Sequence, residues 1–185
     1  MNKKTREMVM AAILTALAIL ITYSPVKLDL LFFTLTVGAH VPTLLAMFIS
    51  PWVTLMTVIG SCIGFFMVIP APNSIIVVTR AATHLIFAFA GLKMIKDGKL
   101  NAFLVILITA LLHSALEGIA VYTMTPLILP DQQTAALSAA GIAFAGTFVH
   151  HLIDCAICAP IISALDRAKI VHLPQKFKIR SKTNA

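Results

Sequence analysis

The chain has 185 residues, of which 59% are hydrophobic and 11% charged, and its mean hydropathy is +0.98. Soluble domains carry roughly a quarter charged residues, so this composition excludes a water-soluble globule with an ordinary polar surface and makes lipid the solvent. The 14 Lys and Arg exceed the 7 Asp and Glu, and in a chain this apolar the excess reports orientation in a membrane rather than nucleic-acid binding.

Charged and turn residues divide the sequence into six apolar segments, each near the roughly 20 residues that a spanning helix needs. The first predicted helix covers about 7–23 and runs into the polar stretch Ser24-Pro25-Val26-Lys27-Leu28-Asp29. The second, about 30–49, ends at Ser50-Pro51, and the third, about 52–69, stops at Pro70-Ala71-Pro72-Asn73. The fourth, about 74–94, gives way to the basic turn Lys96-Asp97-Gly98-Lys99. The fifth, about 100–124, leads into the polar loop from Pro126 to Thr134, and the sixth, about 135–165, precedes a basic tail over 166–185. Runs this long without period-2 alternation do not describe a barrel. The expectation is a single integral membrane domain over 1–185, an all-α bundle of six transmembrane helices.

Lys3, Lys4 and Arg6 precede the first helix, Lys93, Lys96 and Lys99 bracket the fourth turn, and Arg167, Lys169, Lys176, Lys178, Arg180 and Lys182 follow the sixth helix. Six spans put all of these on one side, which is the cytoplasm by the positive-inside rule, so both termini are expected there. No small-residue cleavage pattern precedes the Pro25 loop, and helix 1 is expected to remain in the mature protein. Cys62, Cys155 and Cys158 all sit within apolar runs, an odd number that makes no disulfide framework.

Ionisable groups inside a membrane cost about 2.5 to 3.5 kcal/mol each at a helix centre and mark sites by default. Arg80 and His84 lie four apart on the fourth helix, and His113 and Glu117 four apart on the fifth, so each pair shares a face. Counted from Asn73 and from Tyr122, the two pairs sit at comparable depth below the outer surface, where they can line one pocket. Two readings stand: an Arg80–Glu117 ion pair that locks two helices, or an arginine fork that takes a ligand carboxylate. On the sixth helix His150 shares a face with Asp154, and His151 with Cys155. A C-x-x-C without a second pair is weak evidence for a metal, and none is expected. Instead His150 or His151 is expected to bond across helices or floor the pocket, and Asp154 to satisfy a neighbour. His40, just before Pro42, reads as a polar contact to a carbonyl freed by the proline. Tyr23, Phe65, Phe66 and Tyr122 are interfacial residues or stacking partners for a flat ligand.

Small residues recur one turn apart at Ala12 and Ala16 and at Gly60 and Gly64, which permits close helix approach. The chain has no phosphate-binding loop, nucleophile elbow or H-E-x-x-H, so no enzyme activity and no nucleotide hydrolysis of its own are expected.

Six helices, the opening Thr5-Arg6-Glu7-Met8 with Ala11 to Leu17, and the closing Val149-His150-His151-Leu152-Ile153-Asp154 resemble the substrate-binding S components of energy-coupling factor vitamin transporters. Phe33-Thr34-Leu35-Thr36 leading to Ala39-His40-Val41-Pro42, Arg80 to Ala88, and His113 with Glu117 are similar to the niacin-type members. The resemblance implies high-affinity binding of a B-type vitamin, niacin before pantothenate, pyridoxine or hydroxymethylpyrimidine, at the outer side under the loop after helix 1. The implied ligand set is Arg80, His84, His113, Glu117, Asn73, His151 and Tyr122. It also implies that Ala12 and Ala16 dock on a shared transmembrane T protein, that two ATPase subunits hydrolyse the ATP, that the S component carries no cofactor, and that the setting is a bacterial cell membrane. Two readings of other classes are an ion-coupled carrier relaying protons through His113, Glu117, His150 and Asp154, and an intramembrane metalloenzyme on helix 6.

Overall fold

The computed structural model describes residues 2–24, 27–30 and 33–177; Lys178, Arg180 and Lys182 of the basic tail lie outside the described residues. Five helices are long and apolar enough to cross a membrane: α1 (Lys3–Thr22), α3 (Pro51–Val68), α4 (Asn73–Asp97), α5 (Ala102–Ile128) and α6 (Ala136–Arg167). Together they form the expected all-α bundle of a multi-pass membrane protein. Three of the long helices start at a side-chain cap, the first of them α1, where Asn2 Oδ1 accepts from the Thr5 amide. The Ser50 hydroxyl accepts from the Val53 amide ahead of α3, and Asn101 Oδ1 accepts from the Leu104 amide ahead of α5. Gly98, at φ 61°, closes α4 in the left-handed conformation that glycine tolerates.

The second predicted helix is the correction. Residues 30–49 do not form one span: β1 (Lys27–Leu30) and β2 (Phe33–Thr36) pair as an antiparallel hairpin with Lys27 opposite Thr36 and Leu30 opposite Phe33, and only α2 (Val41–Ala46) is helical. The cause is local. Gly38 sits at φ 83°, outside any helix. Pro42 has no N–H, and it stands as the second residue of α2, in the first turn where that loss costs no helical bond. Hydropathy registers the apolar side chains of this segment and is blind to those two backbone limits.

The chain nevertheless recrosses the bilayer here. A Cβ on Gly60 would come within 2.6 Å of the Thr15 side chain, and one on Gly64 within 2.8 Å of Thr22. Contact positions therefore climb together along both helices, and α1 and α3 run parallel. Parallel neighbours require the intervening segment to return to the starting face, so hairpin and α2 replace a second span. From α3 onward the helices pack in sequence, α3 on α4, α4 on α5, α5 on α6. The Arg6 guanidinium donates to the Ile170 carbonyl at 2.8 Å, and Lys176 Nζ donates to the Lys99 carbonyl at 2.6 Å. The basic segments before α1, between α4 and α5, and after α6 thus gather at one face of the bundle.

Near that face the interior is apolar, built from Leu14, Leu44, Val53, Leu92, Val105 and Ile162 among others. Toward the opposite face buried polar residues replace it.

Candidate functional site

Four elements deliver charged or imidazole side chains to one point. Arg80 and His84 come from one face of α4, His113 and Glu117 from one face of α5, Thr147, His150, His151 and Asp154 from α6, and His40 from the turn that starts α2; all are buried. The four-residue spacings seen in the sequence do what helical geometry requires, stacking each pair on a single side.

Glu117 is one hub. Its Oε2 accepts from Arg80 Nη2 at 2.6 Å, from Arg80 Nε at 3.1 Å and from the Thr147 hydroxyl at 2.6 Å. Its Oε1 lies 3.1 Å from His84 Nε2 and 3.3 Å from His113 Nε2. Asp154 is the other. It accepts from the Gly38 amide at 2.8 Å and the His40 amide at 2.9 Å, and its Oδ2 lies 3.0 Å from His40 Nδ1 and 3.0 Å from His150 Nε2. The hubs are joined by His40, whose Nε2 is 3.3 Å from His84 Nε2. A branch continues from His113 Nδ1 to His151 Nδ1 at 3.0 Å and from His151 Nε2 to the Thr109 hydroxyl at 3.1 Å. Buried polar groups must find partners, and here they find one another across α2, α4, α5 and α6. Thr36, His40, Phe65, Arg80, His84 and Glu117 are among the residues around a cavity of about 20 Å³, room for about a single water.

The structure brings Arg80, His84, His113, Glu117 and His151 together. Asn73 is exposed at the start of α4, and Tyr122 is 53% exposed on α5, so neither joins them. Of the aromatics near the outer ends, Phe65 lines the cavity while Tyr23 and Phe66 are exposed. His151 bonds across helices, His150 lines the cavity, and Asp154 satisfies the amides of the turn. Cys155 and Cys158 stand apart from the histidines on helix 6, lining an apolar cavity of about 220 Å³ with Met47, Ile95 and Val105. His40 carries more than a proline-associated contact, for its ring connects both carboxylates. Its position in a turn, outside any helical period, hid that role. Thr147 gave no signal at all, because a threonine in a helix ordinarily bonds its own backbone.

Ala12 and Ala16 are exposed on α1, whereas Ala11 and Ala18 are buried inside the bundle. Gly60 and Gly64 are consumed by packing against α1.

No family model matches the chain, and no solved structure does. Over 183 residues the chain is 32% identical to the niacin transporter NiaX of Lactococcus lactis subsp. cremoris (strain MG1363), an alignment that covers 95% of this chain and 81% of that protein. Likeness at that level over nearly the whole chain settles the kinship that the helix 4 and helix 5 residues already suggested: the chain belongs to the niacin transporter family of energy-coupling factor S components.

Proposed function

We propose that this chain is the membrane subunit that captures niacin, as nicotinate, at the outer face of a bacterial cell membrane. The observation that carries the reading is Arg80, an arginine buried on a spanning helix beside a cavity that His40, His84 and Phe65 also line. Nicotinate presents a planar carboxylate and a flat aromatic ring. An arginine fork matches the first through two parallel hydrogen bonds, and an aromatic wall at Phe65 suits the second. In the proposed complex the ligand carboxylate shares Arg80 with Glu117, which keeps its hydrogen bonds from Thr147 and its contacts with His84 and His113. A cavity of about 20 Å³ holds no pyridine ring, so binding widens it. The proposed ligand set is Arg80, His84, His113 and Glu117, with His151 behind them. Asn73 and Tyr122 drop out because their side chains are exposed.

Transport is proposed to depend on other subunits. Ala12 and Ala16 leave a smooth exposed strip on α1 that suits close approach by a helix of a transmembrane T protein. ATP hydrolysis falls to two ATPase subunits, and the chain carries no nucleotide of its own. The basic face where the termini meet is proposed to be cytoplasmic. The test is a binding panel on the purified full chain with nicotinate, nicotinamide, pantothenate, pyridoxine and hydroxymethylpyrimidine. Nicotinate is expected to bind tightest; tight binding of another member with none of nicotinate would reassign the substrate.

A further inference from the structure

The same buried cluster has a geometry that a vitamin carboxylate does not explain. A ring nitrogen from each of His40, His84 and His113 and a carboxylate oxygen of Glu117 lie within 4.8 Å of one another, and His40 Nε2–His84 Nε2, His84 Nε2–Glu117 Oε1 and Glu117 Oε1–His113 Nε2 are 3.3 Å, 3.1 Å and 3.3 Å. A tetrahedral ion with ligands at about 2.0–2.1 Å has ligand-to-ligand edges of about 3.3–3.4 Å. The rings stand edge to face, at 73° for His40 and His84, 77° for His40 and His113, and 89° for His84 and His113, with centroids 4.5 to 4.8 Å apart. The three rings come from three elements, and each has its Nε2 in one of those short contacts.

Hydrogen-bond accounting points the same way. His40 Nδ1 faces the Asp154 carboxylate, so its N–H is used there and a neutral His40 turns the Nε2 lone pair inward. That nitrogen lies 3.3 Å from His84 Nε2. The single proton of His84 Nε2 is contested by Glu117 Oε1, which is closer. One proton cannot serve both, so a network of neutral rings leaves that lone pair to the occupant of the small cavity that His40 and His84 line, a water or an ion. A cation at the centre satisfies all four inward atoms together.

The surroundings of two of the three rings are those of a metal site as well. Metal-bound histidines hand their other ring nitrogen to a carboxylate or another polar group, which fixes tautomer and orientation. His40 Nδ1 meets Asp154, and His113 Nδ1 meets His151, which is backed in turn by Thr109. The outer oxygen of Glu117 is held by Arg80 and Thr147. The cluster buries two carboxylates, Glu117 and Asp154, with one guanidinium, which sits on Glu117, and a positive ion redresses that balance.

We propose that His40, His84 and His113 through Nε2, with Glu117 through Oε1, bind a divalent transition metal of the zinc class. Four protein donors make a closed tetrahedral site, which clamps the turn at His40 to α4 and α5. The proposal goes beyond the vitamin reading and does not rest on it, since Arg80 takes no part in coordination. No regular spacing announces the site in the sequence, because its donors come from three separate elements.

The test uses the full chain, purified in detergent without a histidine tag, stripped with a chelator and titrated with zinc chloride and separately with cobalt chloride, in the absence of niacin. One equivalent is expected to bind, and cobalt to show the intense visible absorption of a tetrahedral ion. His84→Gln should abolish both. Asp154→Asn should weaken zinc binding by about 10- to 100-fold, and His172→Ala, on the exposed tail segment, should change neither. No uptake by the wild-type chain, an octahedral cobalt spectrum, or equal uptake by His84→Gln overturns the proposal; the first of these leaves a shared proton holding the rings. If His84→Gln does not fold, the cobalt spectrum of the wild type and its thermal stabilisation by zinc still decide. Niacin affinity of the stripped chain is measured apart, so failure of one reading is told from failure of the other.

Discussion

Arg80 and Glu117 meet at 2.6 Å between α4 and α5, with both side chains almost fully buried. The pair that the sequence offered as a lock between helices therefore exists, and it stands at the wall of the cavity. The lock and the proposed ligand site share the same arginine.

That sharing makes Glu117→Gln informative. Leaving Arg80 buried without its carboxylate should lower stability by about 3–5 kcal/mol, read as a fall in melting temperature in detergent. Nicotinate supplies a carboxylate to the same guanidinium, so its stabilising effect should be larger on this variant than on the wild type. Equal shifts in the two proteins would remove Arg80 from the ligand site.

Arg80→Ala should weaken nicotinate binding on the order of 10- to 100-fold, the range of a charge-assisted hydrogen bond. Equilibrium binding to the purified chain is the measurement. An unchanged affinity would leave the ion pair as a purely architectural element.

On the opposite side of the molecule, Ala12→Trp and Ala16→Trp add bulk to an exposed strip and meet nothing inside the bundle. Each should preserve nicotinate affinity while uptake by cells carrying the whole transporter falls to background. Loss of binding together with uptake would place these alanines in internal packing.

Gly60→Leu should do what the alanine variants do not. Thr15 leaves no room even for a Cβ at Gly60, with its carbonyl oxygen 3.0 Å away and unable to yield. Overpacking costs about 1–3 kcal/mol or more, so a loss of thermal stability should accompany weaker binding, and Gly60→Ala should show a smaller version of it.

Gly38→Ala separates backbone strain from space. Nothing lies within 4 Å of a Cβ there, but φ is 83°, and a left-handed residue with a Cβ costs roughly 1–2 kcal/mol. A drop of that size in stability is expected, with no new steric contact in a structure of the variant. A neutral outcome would mean that the turn relaxes to negative φ.

Much of the site was readable because α4 and α5 obey helical periodicity. Arg80 with His84, and His113 with Glu117, announced their faces by spacing alone, and the depth of each helix put the pairs level. What spacing could not show is how separate faces rotate toward each other, so Asn73 and Tyr122 were placed by depth without knowledge of the side they face. The helix expected over 30–49 failed for another reason. Its apolar side chains satisfy a hydropathy window, while the backbone turns out of a helix at Gly38 and Pro42 opens the first turn of a new one. His40 went with it: a residue in a turn has no period, and its partner Asp154 is far away in the sequence. The polar groups at Thr109 and Thr147 are ordinary helix residues until the partner helix is in place.

The return from α1 to α3 through a hairpin and α2 bears on how the protein is made. A helix entering the bilayer brings its hydrogen bonds with it, but the turn at Gly38 and His40 arrives with amides that lipid cannot satisfy. Their acceptor is Asp154, on the final helix. Until α6 has been synthesised and inserted, this segment has no settled place in the membrane. The second crossing in chain order is then the last to be completed, and a nascent chain cut before Asp154 should leave residues 27–50 open to proteolysis from the side where α1 ends.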